Sequence, residues 1–242
     1  MQIIALFGPT GVGKTSIAVA LAEQLIAAGE QSPVAVSADA LQVYEGLEIL
    51  TGVASPAERA ALEHRLVSFV PLDATFSAGQ YAKLAHAEID GLLAADRRPI
   101  VVGGTGLYLR AALSDLDFKP PPPGGPSQLW SEDMRRPTLL AGLTMEREAL
   151  YARIDARVDA MLAAGAREEV RRAHAAGASQ TARKALGFEE LLGGDVEAMK
   201  RHTRNYARRQ LTWMRKLAGV QTIDVTDRDP GDVAREILDS CA

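Results

Sequence analysis

The sequence predicts an α/β protein, a doubly wound parallel sheet of the P-loop NTPase-like kind with a helical, basic C-terminal half. Three observations carry this. An apolar run, Met1–Phe7, leads straight into Gly8-Pro9-Thr10-Gly11-Val12-Gly13-Lys14-Thr15 and then into a helical pattern. Short apolar runs then alternate with helical segments as far as Tyr108, which is the signature of parallel strands with crossover helices. Beyond a proline-rich break, one further strand is followed by long amphipathic helices rich in arginine.

The first element is a buried strand, MQIIALF. The loop after it reads Gly, four residues, Gly-Lys-Thr. Such a loop turns backbone N–H groups inward, adds the partial positive charge of a helix N-terminus, sends Lys14 to the terminal phosphate and offers Thr15 to Mg²⁺. Gly8, Thr10, Gly11, Gly13, Lys14 and Thr15 are therefore the expected phosphate or diphosphate cradle, with Thr15 the metal ligand. A ligand-free glycine turn would not explain Lys14.

Thr15–Ala28 follows as a helix, with Gly29 as its C-cap. Pro33–Ser37 reads as a second buried strand, and Asp39–Tyr44 as the loop at its carboxyl end, where ligands sit in open parallel sheets. Asp39 suits a general base or a Mg²⁺-positioning carboxylate, although an N-cap or turn aspartate looks the same in sequence. Gln42 carries a donor and an acceptor suited to the edge of a base. Ser55–Glu63 reads as a helix with Ser55 as N-cap, and His64–Val70 as a strand. Ser77–Ala95 reads as a helix, and Pro99–Val102 as a strand running into the glycine-rich Gly103–Tyr108. His64 and His86 fall in packed elements and read as structural.

Phe118–Pro137 holds four consecutive prolines and then Gly-Gly-Pro, so it reads as a linker. It divides the chain into a core over 1–117, a linker over 118–137, and last strands plus basic helices over 138–242. Thr138–Thr144 is a strand. Met145–His174, Ala182–Leu192 and Val196–Leu217 are helical, the last with Trp213 inward and its arginines outward. Gln221–Val225 and Asp232–Leu238 close the chain as strand and helix.

Composition bounds the partners. The net charge of −4 argues against a general nucleic-acid binder, yet residues 135–218 carry an excess of about seven positive charges. That excess reads as solvated helix faces or as a polyanion-binding face. One cysteine, Cys241, excludes an internal disulfide, and four scattered histidines give no metal cluster. Without a signal peptide or an apolar segment of membrane-spanning length, a cytoplasmic, membrane-free protein is expected.

Taken together, these residues resemble the tRNA dimethylallyltransferases, also called tRNA isopentenyltransferases. The resemblance rests on Gly8-Pro9-Thr10 with Gly13-Lys14-Thr15, on Asp39 with Gln42-Val43-Tyr44, on Phe76–Tyr81 and on Pro99–Tyr108. Beyond the linker it continues with Arg147, Leu150-Tyr151, Arg153-Ile154, Met161-Leu162, Gly187-Phe188-Glu189 and the block from Thr203-Arg204 through Tyr206 to Trp213. It implies transfer of a dimethylallyl group from dimethylallyl diphosphate to N6 of an adenine beside the tRNA anticodon. Asp39 would be the base, and Thr10, Lys14, Thr15 and Arg147 would hold the diphosphate with Mg²⁺. Gln42 and Thr105 would meet the nucleotide, and Arg208 and Arg209 the anticodon stem-loop. No nucleoside triphosphate is required, and a monomer is expected.

The chain departs from the family pattern in four places. Ala40 follows the aspartate where serine is usual. Thr51-Gly52-Val53-Ala54 stands for Gly-Thr-Ala-Lys, and His64-Arg65 for His-His. The linker replaces a helical subdomain that grips the anticodon stem-loop in the family. Three other readings therefore stand beside the tRNA enzyme: a prenyltransferase acting on free adenine nucleotides, a catalytically silent RNA- or nucleotide-binding relative, and a small-molecule kinase.

Overall fold

A computed structural model describes residues 1–118 and 128–241. The opening apolar run forms β1, Ile3–Phe7, with all five residues buried. Both faces of its sheet are covered, so it needs no alternation of polar and apolar residues. Helix α1 (Lys14–Ala27) starts on Gly13, whose φ of 100° lies in the left-handed region that glycine adopts without strain. Strand β2 is Gln31–Ser37, and α2 is a single turn, Glu48–Thr51, too short to show a period in the sequence. Helix α3 (Pro56–Ala61) begins with a reciprocal cap between Ser55 and Glu58. Such a cap contributes about 1 kcal/mol.

Strand β3 is only Glu63–Arg65, so the strand expected over His64–Val70 is cut short. Leu66 and Ser68 have φ of 59° and 46°, which takes the chain out of the ladder. The N–H groups of Ser68, Phe69 and Val70 turn instead to the carbonyls of Gln42 and Val43. Helix α4 (Ala78–Ala94) is capped by Ser77 and Gln80, β4 is Arg97–Gly103 and α5 is Gly106–Leu113.

The prolines of the expected linker, Pro120–Pro123, lie outside the described residues. Its described remainder contains a short 3₁₀ turn, Gln128–Trp130, and Trp130 packs on Trp213 with ring centroids 4.5 Å apart. Strand β5 (Thr138–Thr144) then enters the sheet. The long helix expected over Met145–His174 is two, α6 (Arg147–Ala163) and α7 (Ala166–Ala175), broken where Gly165 takes φ 99°. A second left-handed glycine, Gly187 at φ 94°, reduces the segment 182–192 to a 3₁₀ turn and α8, Phe188–Leu192. Helix α9 (Val196–Met214), β6 (Val220–Asp224) and α10 (Pro230–Asp239) complete the chain.

The six strands form one parallel sheet in the order β3-β2-β4-β1-β5-β6. Chain from both sides of the linker therefore builds the same sheet. One apolar layer packs under α1 and α10, around Ile4, Leu6, Leu21 and Ile237. A second packs under α4 and α5, around Phe7, Tyr81, Ile89 and Leu109. A third joins α2, α6, α7 and α8 around Tyr44, Val158 and Phe188. Each fully buried large apolar side chain contributes roughly 1.5–3 kcal/mol, so these layers fix where the strand ends lie. The neighbours β2, β4 and β1 deliver three loops side by side at their carboxyl ends: Asp39–Tyr44, Gly103–Gly106 and Gly8–Thr15.

Candidate active site

A cavity of about 310 Å³ opens where those three loops meet. Thr10, Gly11, Gly13, Lys14 and Thr15 line one side, Asp39 and Gln42 another, and Gly103 and Gly104 lie between them. Across from the sheet, α6 contributes Arg153, Arg157 and Met161, and α9 contributes Met199, Thr203, Tyr206 and Gln210. The two halves of the chain thus close one site.

Gly13 supplies no side-chain cap to α1, so the first N–H groups of that helix are left to a ligand in the cavity that Lys14, Thr15 and Ser16 line. Lys14 Nζ donates to the carbonyls of Gly8 and Pro9, both at 2.9 Å, which holds the ammonium over the loop. Burial, reinforced by the positive charge of Arg157, lowers its pKa to about 8, against the opposing pull of Asp39.

Arg157 is the second cation of this wall. Burial pushes its pKa down, while Asp39 and Glu58 hold it up. It lies against Gly52, at φ 63°, where a Cβ would stand 1.8 Å from the Arg157 guanidinium. No residue with a side chain fits there without moving Arg157. Gly52 in turn is held by Gln42, whose Nε2 donates to the carbonyls of Thr51 and Gly52 at 3.3 and 3.2 Å. Gln42 Oε1 accepts from Ser37 Oγ at 3.0 Å. Both ends of the Gln42 amide are thus engaged within the protein, although the residue lines the cavity. From behind, the buried Glu169 accepts the N–H groups of Ile49 and Leu50 at 2.9 and 2.7 Å and fixes the short helix α2 that ends at this turn.

Asp39 Oδ1 accepts the N–H groups of Leu41 and Gln42, at 2.9 and 3.4 Å. The aspartate therefore does form a turn, and it also faces the cavity. One oxygen is taken by the turn and the other is left for a ligand. Around it, burial and the Asp39 charge raise the pKa of the Tyr206 hydroxyl. Tyr206 OH lies 3.4 Å from Thr105 Oγ1, at the start of α5.

Not every residue singled out in the sequence lines the cavity. Gly8 is buried behind it and serves through its carbonyl. Thr105 reaches it only through Tyr206. Arg147 is exposed at the first turn of α6, its guanidinium 5.4 Å from the centre of the Tyr151 ring, and does not line the cavity. Arg208 is exposed and donates to Asn205, and Arg209 lies 5.5 Å from the centre of the Tyr206 ring. Arg153 and Arg157 line the cavity although no motif in the sequence marks them as site residues. Their signal is a basic i, i+4 pair directly preceding Ile154 and Val158 on a helix otherwise of mixed face. His86 is structural, hydrogen-bonded to the Ala111 carbonyl. His64 bonds the Leu62 carbonyl through Nδ1, yet also lines the cavity.

A family model described as IPP transferase matches residues 42–136 and 124–217, two stretches that meet in the linker. A tRNA dimethylallyltransferase of Geobacillus kaustophilus is 32% identical, with 93% of this chain and 91% of the relative covered. That match runs over 293 positions, more than the 242 residues of this chain, so the relative carries residues that this chain lacks. A tRNA dimethylallyltransferase of Kineococcus radiotolerans is 31% identical, with 99% and 96% covered. Among solved structures, the tRNA isopentenylpyrophosphate transferase of Bacillus halodurans superposes with a TM-score of 0.86 at 27% identity, covering 99% of this chain and 95% of its own. With its sheet order, its loop geometry and these matches, the chain belongs to the IPP transferase family, the tRNA dimethylallyltransferases.

Proposed function

We propose that this protein transfers a dimethylallyl group from dimethylallyl diphosphate to N6 of an adenine in tRNA, next to the anticodon. The observation that carries the reading is a single cavity in which a phosphate loop, two arginines and an aspartate with one uncommitted oxygen face each other. Lys14, the first N–H groups of α1, Arg153 and Arg157 hold the diphosphate. These groups stabilise negative charge as it develops on a leaving group. The N6 lone pair attacks the allylic carbon, and a C–N bond forms. The C–O bond breaks with its electron pair leaving on the diphosphate, and the N6 proton passes to Asp39. Oδ2 is the oxygen of Asp39 free to take it, because Oδ1 is held by Leu41 and Gln42. The adenine must leave its stack to reach Asp39, as in other base-modifying enzymes.

Thr15 offers one hydroxyl to Mg²⁺. Among the described residues no three His, Cys, Asp or Glu side chains group to hold an ion. A site of this kind suits a hard cation that takes most of its ligands from diphosphate and water. Bound there, Mg²⁺ neutralises charge on the leaving group. The exposed Arg201, Arg208 and Arg209 of α9, with Arg215 at its C-cap, supply the charge that attracts the RNA backbone.

The test is incubation with labelled dimethylallyl diphosphate and Mg²⁺, with unmodified tRNA or with AMP as acceptor. Label on tRNA adenine supports the reading. Label on AMP alone makes the acceptor a free nucleotide. No transfer to either, with RNA still bound, makes the protein a silent RNA-binding relative.

A further inference from the structure

Helix α9 does two things at once. One face carries Thr203, Tyr206 and Gln210 at helical spacing into the cavity. The opposite face carries Arg201 and Arg208 to solvent, and Arg215 follows at the C-cap. Along its length the helix enters all three apolar layers, with Met199 in one, Ala207 in another and Met214 in the third. A helix anchored in this way moves as one body.

Gln210 is the point where that body touches the phosphate loop. Its side chain is 5% exposed. Oε1 accepts the N–H of Thr10 at 2.8 Å, and Nε2 donates to the carbonyl of Gly104 at 2.8 Å. The orientation of the amide is forced, since a backbone N–H only donates and a carbonyl only accepts. The approach is close enough that a Cβ on Gly104 would stand 2.3 Å from Gln210 Nε2. One side chain therefore clamps the diphosphate loop to the glycine loop beside it, and both to the helix that bears the exposed arginines. Two hydrogen bonds of fixed direction, one buried and one partly buried, tie both loops to the helix.

We infer that Gln210 is a positioning residue that couples acceptor RNA on the outer face of α9 to the diphosphate loop, so that each ligand strengthens the binding of the other. The inference rests on the RNA-acceptor reading above and adds to it the part that connects the two substrates. Coupling of this kind is reciprocal: the factor by which RNA tightens diphosphate binding equals the factor by which diphosphate tightens RNA binding.

The experiment uses the full chain with inorganic pyrophosphate and Mg²⁺ as the probe for the loop, and an unmodified anticodon stem-loop RNA as the probe for α9. The dissociation constant of each is measured by calorimetry alone and with the other saturating. The expected factor is about fivefold or more, equal in both directions. In Q210M, which keeps the volume and loses both hydrogen bonds, the factor falls to about one, while each ligand alone binds within a few-fold of the unaltered protein. Q210E keeps the acceptor for Thr10 and sets a carboxylate against the Gly104 carbonyl, and it too loses the coupling. R208A weakens RNA binding and keeps the factor. Melting temperatures establish that each variant is folded, and if Q210M is not, Q210E carries the test. In steady state, Q210M raises KM for each substrate measured at saturation of the other, where a general loss of structure would lower kcat. A factor of one in the unaltered protein, or an unchanged factor in folded Q210M or Q210E, overturns the inference. Failure of the unaltered protein to bind the RNA at all overturns the acceptor reading itself and the inference with it.

Discussion

The two sides of the cavity are built differently. On the side proposed to hold the diphosphate, the inner cations are braced from within the fold: Lys14 by two carbonyls, Arg157 by its acidic neighbours, and the Gly52 turn beside it by Gln42 and Glu169. On the RNA side, the cations stand in solvent. Arg208, Arg215 and Lys216 are exposed, and Lys216 reaches back only to the Trp130 ring, 5.4 Å from its centre. A leaving group of fixed shape needs preorganised donors, because reorganisation at the moment of reaction would raise the barrier. A polyanion is attracted by charge density and tolerates mobile cations. The contrast predicts steep losses on one side and shallow, salt-dependent ones on the other.

The largest effect is expected at the point where the two sides meet. D39N keeps the oxygen that accepts from Leu41 and Gln42, so the turn survives, and it removes the proton acceptor. Transfer to tRNA should fall by about 10²–10⁴-fold, the usual worth of a general base. Pyrophosphate affinity should stay within a few-fold. Parallel loss of both, measured by transfer rate and calorimetry, would make Asp39 part of the diphosphate site and erase the distinction between the sides.

The next largest is expected from G52A. The added methyl stands where the Arg157 guanidinium now lies, and φ 63° strains any side chain. If Arg157 holds the diphosphate as proposed, displacing that cation costs roughly 1–3 kcal/mol, so pyrophosphate affinity should fall about 5- to 150-fold. RNA affinity measured without pyrophosphate should not move. Equal weakening of the two would mean that the Gly52 turn supports the RNA side as well.

A third effect follows from Lys14. Its pKa in the ligand-free protein is lowered to about 8, and a bound diphosphate favours the charged form and raises it. The free protein therefore loses the proton at a lower pH than the complex does. Pyrophosphate binding is strongest below pH 8 and weakens as pH rises through 8, approaching tenfold per pH unit above it. Calorimetric dissociation constants at pH 7, 8 and 9 check this. A flat profile would remove the Lys14 ammonium from the set of diphosphate donors.

The same contrast separates what the sequence discloses from what it hides. Gly8–Thr15 is legible because backbone geometry demands those residues at that spacing, and the parallel sheet is legible because buried strands must be apolar throughout. Asp39 is legible as a position but not as a role, since a turn aspartate and a base look alike, and here the same residue makes the turn and lines the cavity. Arg157 and Gln210 are hidden for a different reason. Each acts across more than a hundred residues of chain, on Gly52 and on Thr10 respectively, and local periodicity cannot report such a contact. Element ends are hidden for another, local reason: Gly165 and Gly187 break helices whose apolar spacing continues on either side of them, and the strand after His64 fails at two left-handed residues, Leu66 and Ser68, that no propensity marks.

The smallest expected effect is on the RNA side. Arg208 is exposed, its guanidinium donates to the nearby Asn205, and among the described residues it lines neither the cavity nor an apolar layer. On the proposed reading, removing it deletes one phosphate contact and leaves the cavity and the apolar layers as they are. R208A should flatten the plot of log affinity against log salt by about 0.7–0.9 per lost contact and weaken binding of the stem-loop a few-fold at physiological ionic strength. KM for dimethylallyl diphosphate should be unchanged. Arg209 makes a sharper test because its guanidinium rests on the Tyr206 ring, which lines the cavity. If the two sides communicate through this aromatic contact, R209A should change the salt slope as R208A does and in addition lower kcat, through Tyr206. An R209A variant that alters the slope alone would leave Gln210, and not the aromatic contact, as the route by which RNA on α9 is felt in the cavity.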